Sequence, residues 1–481
     1  MPSESTIVPS GNPVPILADA EVLVVGGGTA GVAAAIAAAR AGARTVVVEA
    51  GSCLGGTMTA GLIDGALSFT RFSRRAGREV KGILAELIAR MRDVGGMGRR
   101  VHGRHNLDFA GGEFPEAILQ QTQRHDPELM KIALVQMLEE AGVSILLRSP
   151  VDEVLKDGNR VTGVVLATKA GRRAVVSKVT VDATGDGDVA AFAGAEYQLG
   201  HPADNHCQAI SLIFRLGGID ENRFVTSGDL WFGALQQAGA AREIHLPDYV
   251  MHENTPYNLV SLRPARTNDA GIWVVNVDMA VEVDATDPWQ LSATQNKCLK
   301  LVWEYLQFLR KYIPGCEQAY LIDTAELLGV RDSRRIVGDY VLTWRDLGAG
   351  RKFPDAIAST AIIIDLHDHL IVNRDDEPTP RHLWTATRKP FGPPAGDWYD
   401  IPYRCLLPRG LEGLIVAGRC ISTDYETVGS TRLMPICMQT GQAAGVAAAL
   451  AVREGMGLRD LAVHRLQEEL LRQGADLSLS S

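Results

Sequence analysis

Residues 21–61 read EVLVVGGGTAGVAAAIAAARAGARTVVVEAGSCLGGTMTAG, and this stretch decides the fold. A short apolar run, Val22 to Val25, meets glycine at once, and Gly26, Gly28 and Gly31 stand at the spacing G-x-G-x-x-G. An alanine-rich run follows over 33–39, then a β-branched run over 45–48 that ends on Glu49. The pattern predicts strand, turn, helix, strand. Gly26 permits the tight turn, Gly28 lets backbone approach a pyrophosphate, and Gly31 lets helix and strand pack closely. The helix N-terminus offers unpaired N–H groups and partial positive charge to phosphates. Glu49 stands 23 residues after Gly26, close to the roughly 20-residue offset at which a carboxylate meets a ribose. One dinucleotide is expected here.

Outward from this stretch, GSCLGGTMTAG places Gly55, Gly56, Thr57 and Met58 just past the ribose acid, small enough to run along a pyrophosphate toward a ring system. It carries one cysteine, Cys53, so a dithiol relay is not expected. Residues 66–124 look like an insertion. A helical patch near 79–91 precedes a basic, glycine-rich run holding Arg104 and His105. That run suits a lid over an anionic substrate, or an ordinary solvated loop.

From Asp126 an amphipathic helix is expected, with Pro127 in its first turn and Gly142 at its end. Strands follow over 143–147, 151–155, 160–167 and 173–182, the last two as an antiparallel ribbon. The chain then enters VDATGDGDVA, where a turn at Ala183, Thr184 and Gly185 is expected after the strand. Gly185, Gly187 and Ala190 imitate a second fingerprint, but no β-run with a terminal acid follows it. Asp186 and Asp188 suit a helix cap equally well. GAGR at 348–351 follows no apolar strand, so a separate nicotinamide domain is not expected.

Residues 201–405 lose the α/β alternation and read as an inserted α+β substrate domain, with a long helix near 292–311. GVRDSRRIVGDY sets Arg331, Arg334 and Arg335 on one face if the segment is helical. Such guanidinium groups suit carboxylate recognition, surface ion pairs or contact with the cofactor. DLHDH at 365–369 offers His367 as a proton-transferring group or a hydrogen-bonded structural histidine; a metal site would need further ligands. The C-terminal part returns to the first domain: LIVAGR ends on Gly418 and Arg419, and a helix follows Arg432 and Met434. Its N-terminal dipole would favour an anionic group, and Arg432 would add a full charge.

The 481 residues carry a net charge of −9, with 46% hydrophobic and 22% charged residues. That acidic balance disfavours nucleic acid as main partner. Seven scattered cysteines without a C-x-x-C pair suit reduced thiols. No Lys or Arg precedes Arg40, residues 1–15 read as a loose arm, and no apolar run reaches about 18 residues, so a cytoplasmic protein without membrane insertion is expected.

GGGTAG with Glu49, LGGTMTAG, DATGDGD, and LIVAGR followed by STRLMPICMQTGQAAG together resemble the FAD-dependent oxidoreductases of the glutathione-reductase-like fold. More narrowly, they are similar to the bacterial family known simply as FAD-dependent oxidoreductase. GVRDSRRIVGDY and YDIPYRCLLP extend the likeness, which spans 22–473. It implies α/β architecture: a Rossmann-like FAD domain from 19–200 and 406–481, with a substrate domain from 201–405 over the isoalloxazine. FAD contacts are implied at Gly26, Gly28, Thr29, Ala30, Gly31, Glu49 and Ala50, and at Gly55 to Met58 and Val151. Further contacts are implied at Ala183, Thr184, Gly185, Gly418, Arg419, Arg432 and Met434.

With no thiol relay and no nicotinamide domain, electrons are expected to come from a small organic substrate, with or without a carboxylate, by hydride transfer to flavin N5. His367 or Tyr403 would be the base, and Arg331 or Arg335 the anchor. The alternatives are a reductase of an activated C=C bond, a monooxygenase using external NAD(P)H, a tRNA-modifying flavoprotein, or a non-catalytic flavin-binding partner.

Overall fold

The computed structural model describes residues 6–7, 13–65, 81–97, 124–224, 228–247, 250–251, 264–267, 271–367, 392–394 and 396–477. Strand β1 (Val14–Val25) is the centre of the main sheet. It begins eight residues before the apolar run that signals it. Thr6–Ile7 pairs antiparallel with its first residues, so this part of the arm is held rather than loose. Helix α1 (Thr29–Arg40) follows the glycine turn, and β2 (Thr45–Val48) pairs parallel with β1.

Helix α2 (Gly82–Asp93) lies within the stretch read as an insertion, yet Ile83, Leu84, Leu87, Ile88 and Met91 are buried in the same core as α1. It is a core helix, not a lid. Residues 98–123, with Arg104 and His105, lie outside the described residues. Helix α3 (Pro127–Glu140) starts where Asp126 accepts hydrogen bonds from the Glu128 and Leu129 N–H groups. Then come β3 (Ser144–Leu146), parallel to β2, and the antiparallel run β4 (Val151–Asp157), β5 (Arg160–Thr168) and β6 (Gly171–Asp182). Strand β6 is shared. Its first half pairs with β5, while from Ala174 to Asp182 it runs parallel to β1. This carries Ala183 back to the glycine turn.

A second hydrophobic cluster forms around β7 (Phe214–Gly217), β8 (Ala265–Arg266), β9 (Trp273–Val275), helix α4 (Pro288–Tyr312) and β10 (Tyr320–Thr324). Helix α4 starts four residues before its expected position because Asp287 caps it ahead of Pro288, accepting from the Trp289 and Gln290 N–H groups. The segment of three arginines is not helical: β11 (Arg334–Ile336) pairs antiparallel with Tyr197–Leu199. Its side chains alternate, Arg334 outward to Asp188 and Arg335 inward to Asp332. Residues assigned to the substrate domain by sequence, among them Ile336, Leu347, Ile362, Ile364 and Tyr399, pack in the first cluster.

The chain closes on the first sheet with β12 (Leu414–Val416), parallel to the end of β6, and helix α5 (Met434–Glu454). By length and composition α5 could cross a membrane. However, 89% of its most apolar window is buried, against α1 and the sheet. It is the core helix of the fold.

Candidate functional site

Each fingerprint glycine has a distinct reason in space. Gly26 has φ +98°, and a Cβ there would lie 2.4 Å from the Ala183 carbonyl oxygen. A Cβ on Gly31 would lie 1.7 Å from the Gly26 oxygen. At Gly28 nothing lies within 4 Å of that position, and its φ of −72° suits any residue. Protein atoms therefore require glycine at 26 and 31, while at Gly28 they leave room for a side chain beside the first turn of α1. No side chain among the described residues caps that turn, so Thr29, Ala30 and Gly31 stand at a positive, uncapped helix end.

Glu49 borders the same space. Its Oε2 accepts from the Gly27 N–H at 2.6 Å and its Oε1 from the Gly51 N–H at 2.6 Å. Each oxygen keeps a lone pair that a ribose hydroxyl can use. Ala50 follows it, exposed. The Arg148 and Ser149 N–H groups donate to the Gly51 and Glu49 carbonyls, which brings the start of β4 at Val151 alongside. The Gly55 N–H donates to the Gly27 oxygen at 2.8 Å, so Gly55, Gly56 and Thr57 lie across the glycine loop. Met58 is fully buried, and its carbonyl meets His125 Nε2 at 2.9 Å. Burial pushes the His125 pKa down, which suits a neutral ring donating to that carbonyl. Sequence gave no signal for this role of His125.

On the other side, the Asp182 carboxylate ends β6 and accepts from Thr184 N–H, Thr184 Oγ1 and Ala190 N–H. Complete burial outweighs these donors and pushes its pKa from 3.8 to about 6. The folded state therefore binds this proton more tightly than the unfolded chain. Asp182 stabilises the fold below the ordinary carboxylate range, and that contribution is lost as pH rises through the window up to about 6. The stability difference between wild type and Asp182→Asn is expected to fall as pH rises across that window, read by thermal unfolding of both; parallel trends would refute it.

Gly185 and Gly418 bring two turns together. Arg419 donates to Asp186 Oδ1 at 2.7 Å and to the Val330 carbonyl at 2.9 Å. Asp186 is thus an arginine partner rather than a helix cap. The Gly418 N–H donates to Thr440 Oγ1 of α5 at 3.1 Å. No side chain caps α5, whose first residue is Met434. Two helix ends free of side-chain caps, an acid and an open glycine fit an FAD molecule. Thr29 to Gly31 would hold its pyrophosphate, Glu49 its ribose, and the α5 tip its ring.

The catalytic candidates separate. Tyr403 is buried, donates to the Leu458 carbonyl at 3.0 Å, and is pushed far up by that burial. It is a structural tyrosine, not a base. Arg335 is 2% exposed and occupied by Asp332 and the Gly200 carbonyl, so it anchors no substrate. Arg331 donates to the Ala209 carbonyl and lies 2.7 Å from Asp278 Oδ1. It therefore meets protein acceptors rather than standing ready as a first substrate contact.

His367 stays in place as a candidate. Its Nδ1 lies 2.8 Å from Asp278 Oδ2 and its Nε2 3.5 Å from Asp365 Oδ1. Arg432 donates to the Asp365 carbonyl at 2.7 Å and to its carboxylate at 3.1 Å. Burial would push the Asp365 carboxyl up, but His367, Arg432 and Arg331 outweigh it and hold it well below the usual carboxylate range. Arg432 thus reaches a carboxylate and places the His367 cluster two residues from the α5 tip. Asp368 and His369 lie outside the described residues. Asp278 had no motif around it and was missed.

A family model described as FAD dependent oxidoreductase matches residues 21–470. Among solved structures, the chain is similar to a geranylgeranyl bacteriochlorophyll reductase-like protein from Thermoplasma acidophilum. Identity is 13% and the TM-score 0.44, over 95% of this chain and 84% of that one. It is also similar to p-nitrophenol 4-monooxygenase from Pseudomonas putida DLL-E4, at 13% identity and TM-score 0.43 over 95% and 85%. Anhydrotetracycline hydroxylase from Streptomyces rimosus gives 12% and 0.41 over 95% and 66%. Likeness at this level bears on neither substrate nor reaction.

Proposed function

Because this chain belongs to the FAD dependent oxidoreductase family, we propose that it oxidises a small organic alcohol, amine or hydroxy acid, with hydride passing to N5 of bound FAD. The substrate's C–H and O–H or N–H bonds break, a C=O or C=N bond forms, and the proton goes to His367. The observation that supports this reading is the position of His367, an imidazole joined through Asp365 and Arg432 to the segment that starts α5. His367 itself is buried. A carboxylate on the substrate is not required, since Arg331 and Arg335 are engaged by Asp278 and Asp332.

The test is anaerobic mixing of the FAD-loaded protein with a panel of alcohols, amines and hydroxy acids. Loss of the visible flavin band on addition of a substrate alone supports oxidation. Bleaching only by dithionite or NAD(P)H would turn the reading to a C=C reductase or a monooxygenase. In the first case, His367→Gln is expected to retain FAD and slow bleaching by about 10²–10⁴-fold. An unchanged rate would remove His367 from the reaction.

A further inference from the structure

Gln208 lies between the buried residues Cys207 and Ala209 and is itself 0% exposed. Its main-chain N–H donates to Asp332 Oδ1 at 2.5 Å, and its side-chain Oε1 accepts from the His367 main-chain N–H at 3.1 Å. A main-chain N–H can only donate, so the amide oxygen must face it, and this settles which way the amide stands. Nε2, on the opposite side, is buried and meets no acceptor among the described residues. A buried donor in that position costs stability unless a bound molecule accepts from it.

Both sides of this amide lead to the ring end of the FAD site. Residues 330–332 make one link: the Val330 carbonyl accepts from Arg419, Arg331 donates to the Ala209 carbonyl, and Asp332 takes the Gln208 N–H. Arg419 belongs to the turn whose Gly418 N–H is bonded to Thr440 of α5. The second link runs through His367, two residues after Asp365, whose carboxylate accepts from Arg432 just ahead of α5. Gln208 is therefore held between the Gly418–Arg419 turn and the segment Arg432–Met434, the two pieces of chain that meet at the α5 tip.

We infer that Gln208 Nε2 donates to an acceptor atom of the isoalloxazine, and that the His367 main-chain N–H, by occupying Oε1, fixes the amide for this contact. The inference rests on the ring lying at the α5 tip and not on the direction of the reaction. A donor excludes the N3–H of the ring as its partner and leaves N5, N1 and the two carbonyl oxygens. These partners have opposite consequences for the flavin potential. A donor at N5 favours the oxidised ring, because N5 takes up hydrogen on reduction and then accepts poorly. A donor at N1 or a carbonyl oxygen favours the anionic reduced ring, whose negative charge those atoms share.

The test compares wild type with Gln208→Met, which keeps an unbranched side chain but has no N–H to donate. FAD and ADP are titrated separately into the FAD-free proteins, since ADP fills the phosphate cradle without a ring, and the potential of the FAD-loaded proteins is then measured. The variant is expected to bind FAD about tenfold more weakly and ADP as wild type does. Its potential is expected to move by about 30 mV, the equivalent of tenfold in a two-electron couple. An upward move assigns N5 as the acceptor, a downward move N1 or a carbonyl oxygen. Unchanged FAD affinity would overturn the inference, because water would then be taking the N–H. Equal loss of FAD and ADP, or loss of FAD affinity with an unmoved potential, would overturn it too, since a packing defect alone produces either. Should Gln208→Met not fold, Gln208→Asn, which draws the amide back by one methylene, takes its place and is read in the same way. If the shifts come out as expected and no substrate bleaches the flavin, the oxidation reading fails and the Gln208 contact stands.

Discussion

Gly28→Ala is expected to leave the protein folded but unable to hold FAD well, whereas Gly31→Ala is expected to disrupt the fold itself. The two glycines are three residues apart in one motif, and their surroundings differ entirely. A methyl on Gly28 meets no protein atom within 4 Å, and the backbone there is in a conformation open to any residue. Its methyl projects into the space where backbone would approach a pyrophosphate. A methyl on Gly31 would sit 1.7 Å from the Gly26 carbonyl oxygen. Gly26 cannot retreat, because a Cβ at its own position already approaches the Ala183 carbonyl at 2.4 Å. The Ala183 N–H is in turn bonded to the Val25 carbonyl at 2.8 Å.

The first substitution therefore acts on the ligand and the second on the junction of α1, β1 and β6. Gly28→Ala should unfold at the same denaturant midpoint as FAD-free wild type and bind FAD at least about tenfold more weakly, about 1.4 kcal/mol. Gly31→Ala should lose about 3 kcal/mol or more, the upper range for overpacking, since backbone rather than a flexible side chain must yield. FAD titration together with denaturation of the FAD-free proteins separates the two. Full FAD affinity in Gly28→Ala would mean that the pyrophosphate lies elsewhere.

The same contrast explains what could be read in advance. The glycine loop, Glu49 and the antiparallel turn between β5 and β6 all follow from local spacing, which acts over fewer than about 25 residues, whereas the return at Ala183 follows from the likeness to flavoproteins. The Asp126–Pro127 helix start was readable for the same reason, and Asp287–Pro288 carries an identical signal that sets the true start of α4. The arginine segment misled because spacings of three and four suit a helical face, whereas pairing with Tyr197–Leu199 imposes a period of two. The His367 partner lies 89 residues away, in another cluster, with nothing in its neighbours to mark it. Tyr403 shows the converse error. Polar residues near a recognised segment attract functional roles, and only burial against Leu458 shows that this hydroxyl is a core hydrogen bond.

Gly441→Ala and Gly445→Ala are each expected to lower stability by about 2–3 kcal/mol, and only the first to weaken FAD binding as well. Helices α1 and α5 pack so closely that a Cβ at Gly441 would lie 2.1 Å from the Ala30 carbonyl oxygen, and one at Gly445 2.1 Å from that of Ala34. Both pairs are four residues apart, so one row of glycines meets one row of alanine carbonyls. The alanine-rich sequence of α1 serves this approach as well as burial. An added methyl must push the helices apart, because each faces backbone of a helix that the sheet holds in place. The consequence differs with position. Gly441 follows Thr440, which holds the Gly418 N–H, and a Cβ on Gly418 would itself press on Ala30 at 2.8 Å. Displacement there reaches both the Gly-Arg turn and the α5 tip. Gly445 lies one turn further in and is linked to neither. Gly455→Ala is the control, since its φ of +64° brings strain but no atom within 4 Å, and a loss of only about 1 kcal/mol is expected. Denaturation of the three FAD-free variants, followed by FAD titration, tests the order. If Gly441→Ala proved as stable as Gly455→Ala, the close approach of the two helices would not be what holds the cofactor end of this fold in register.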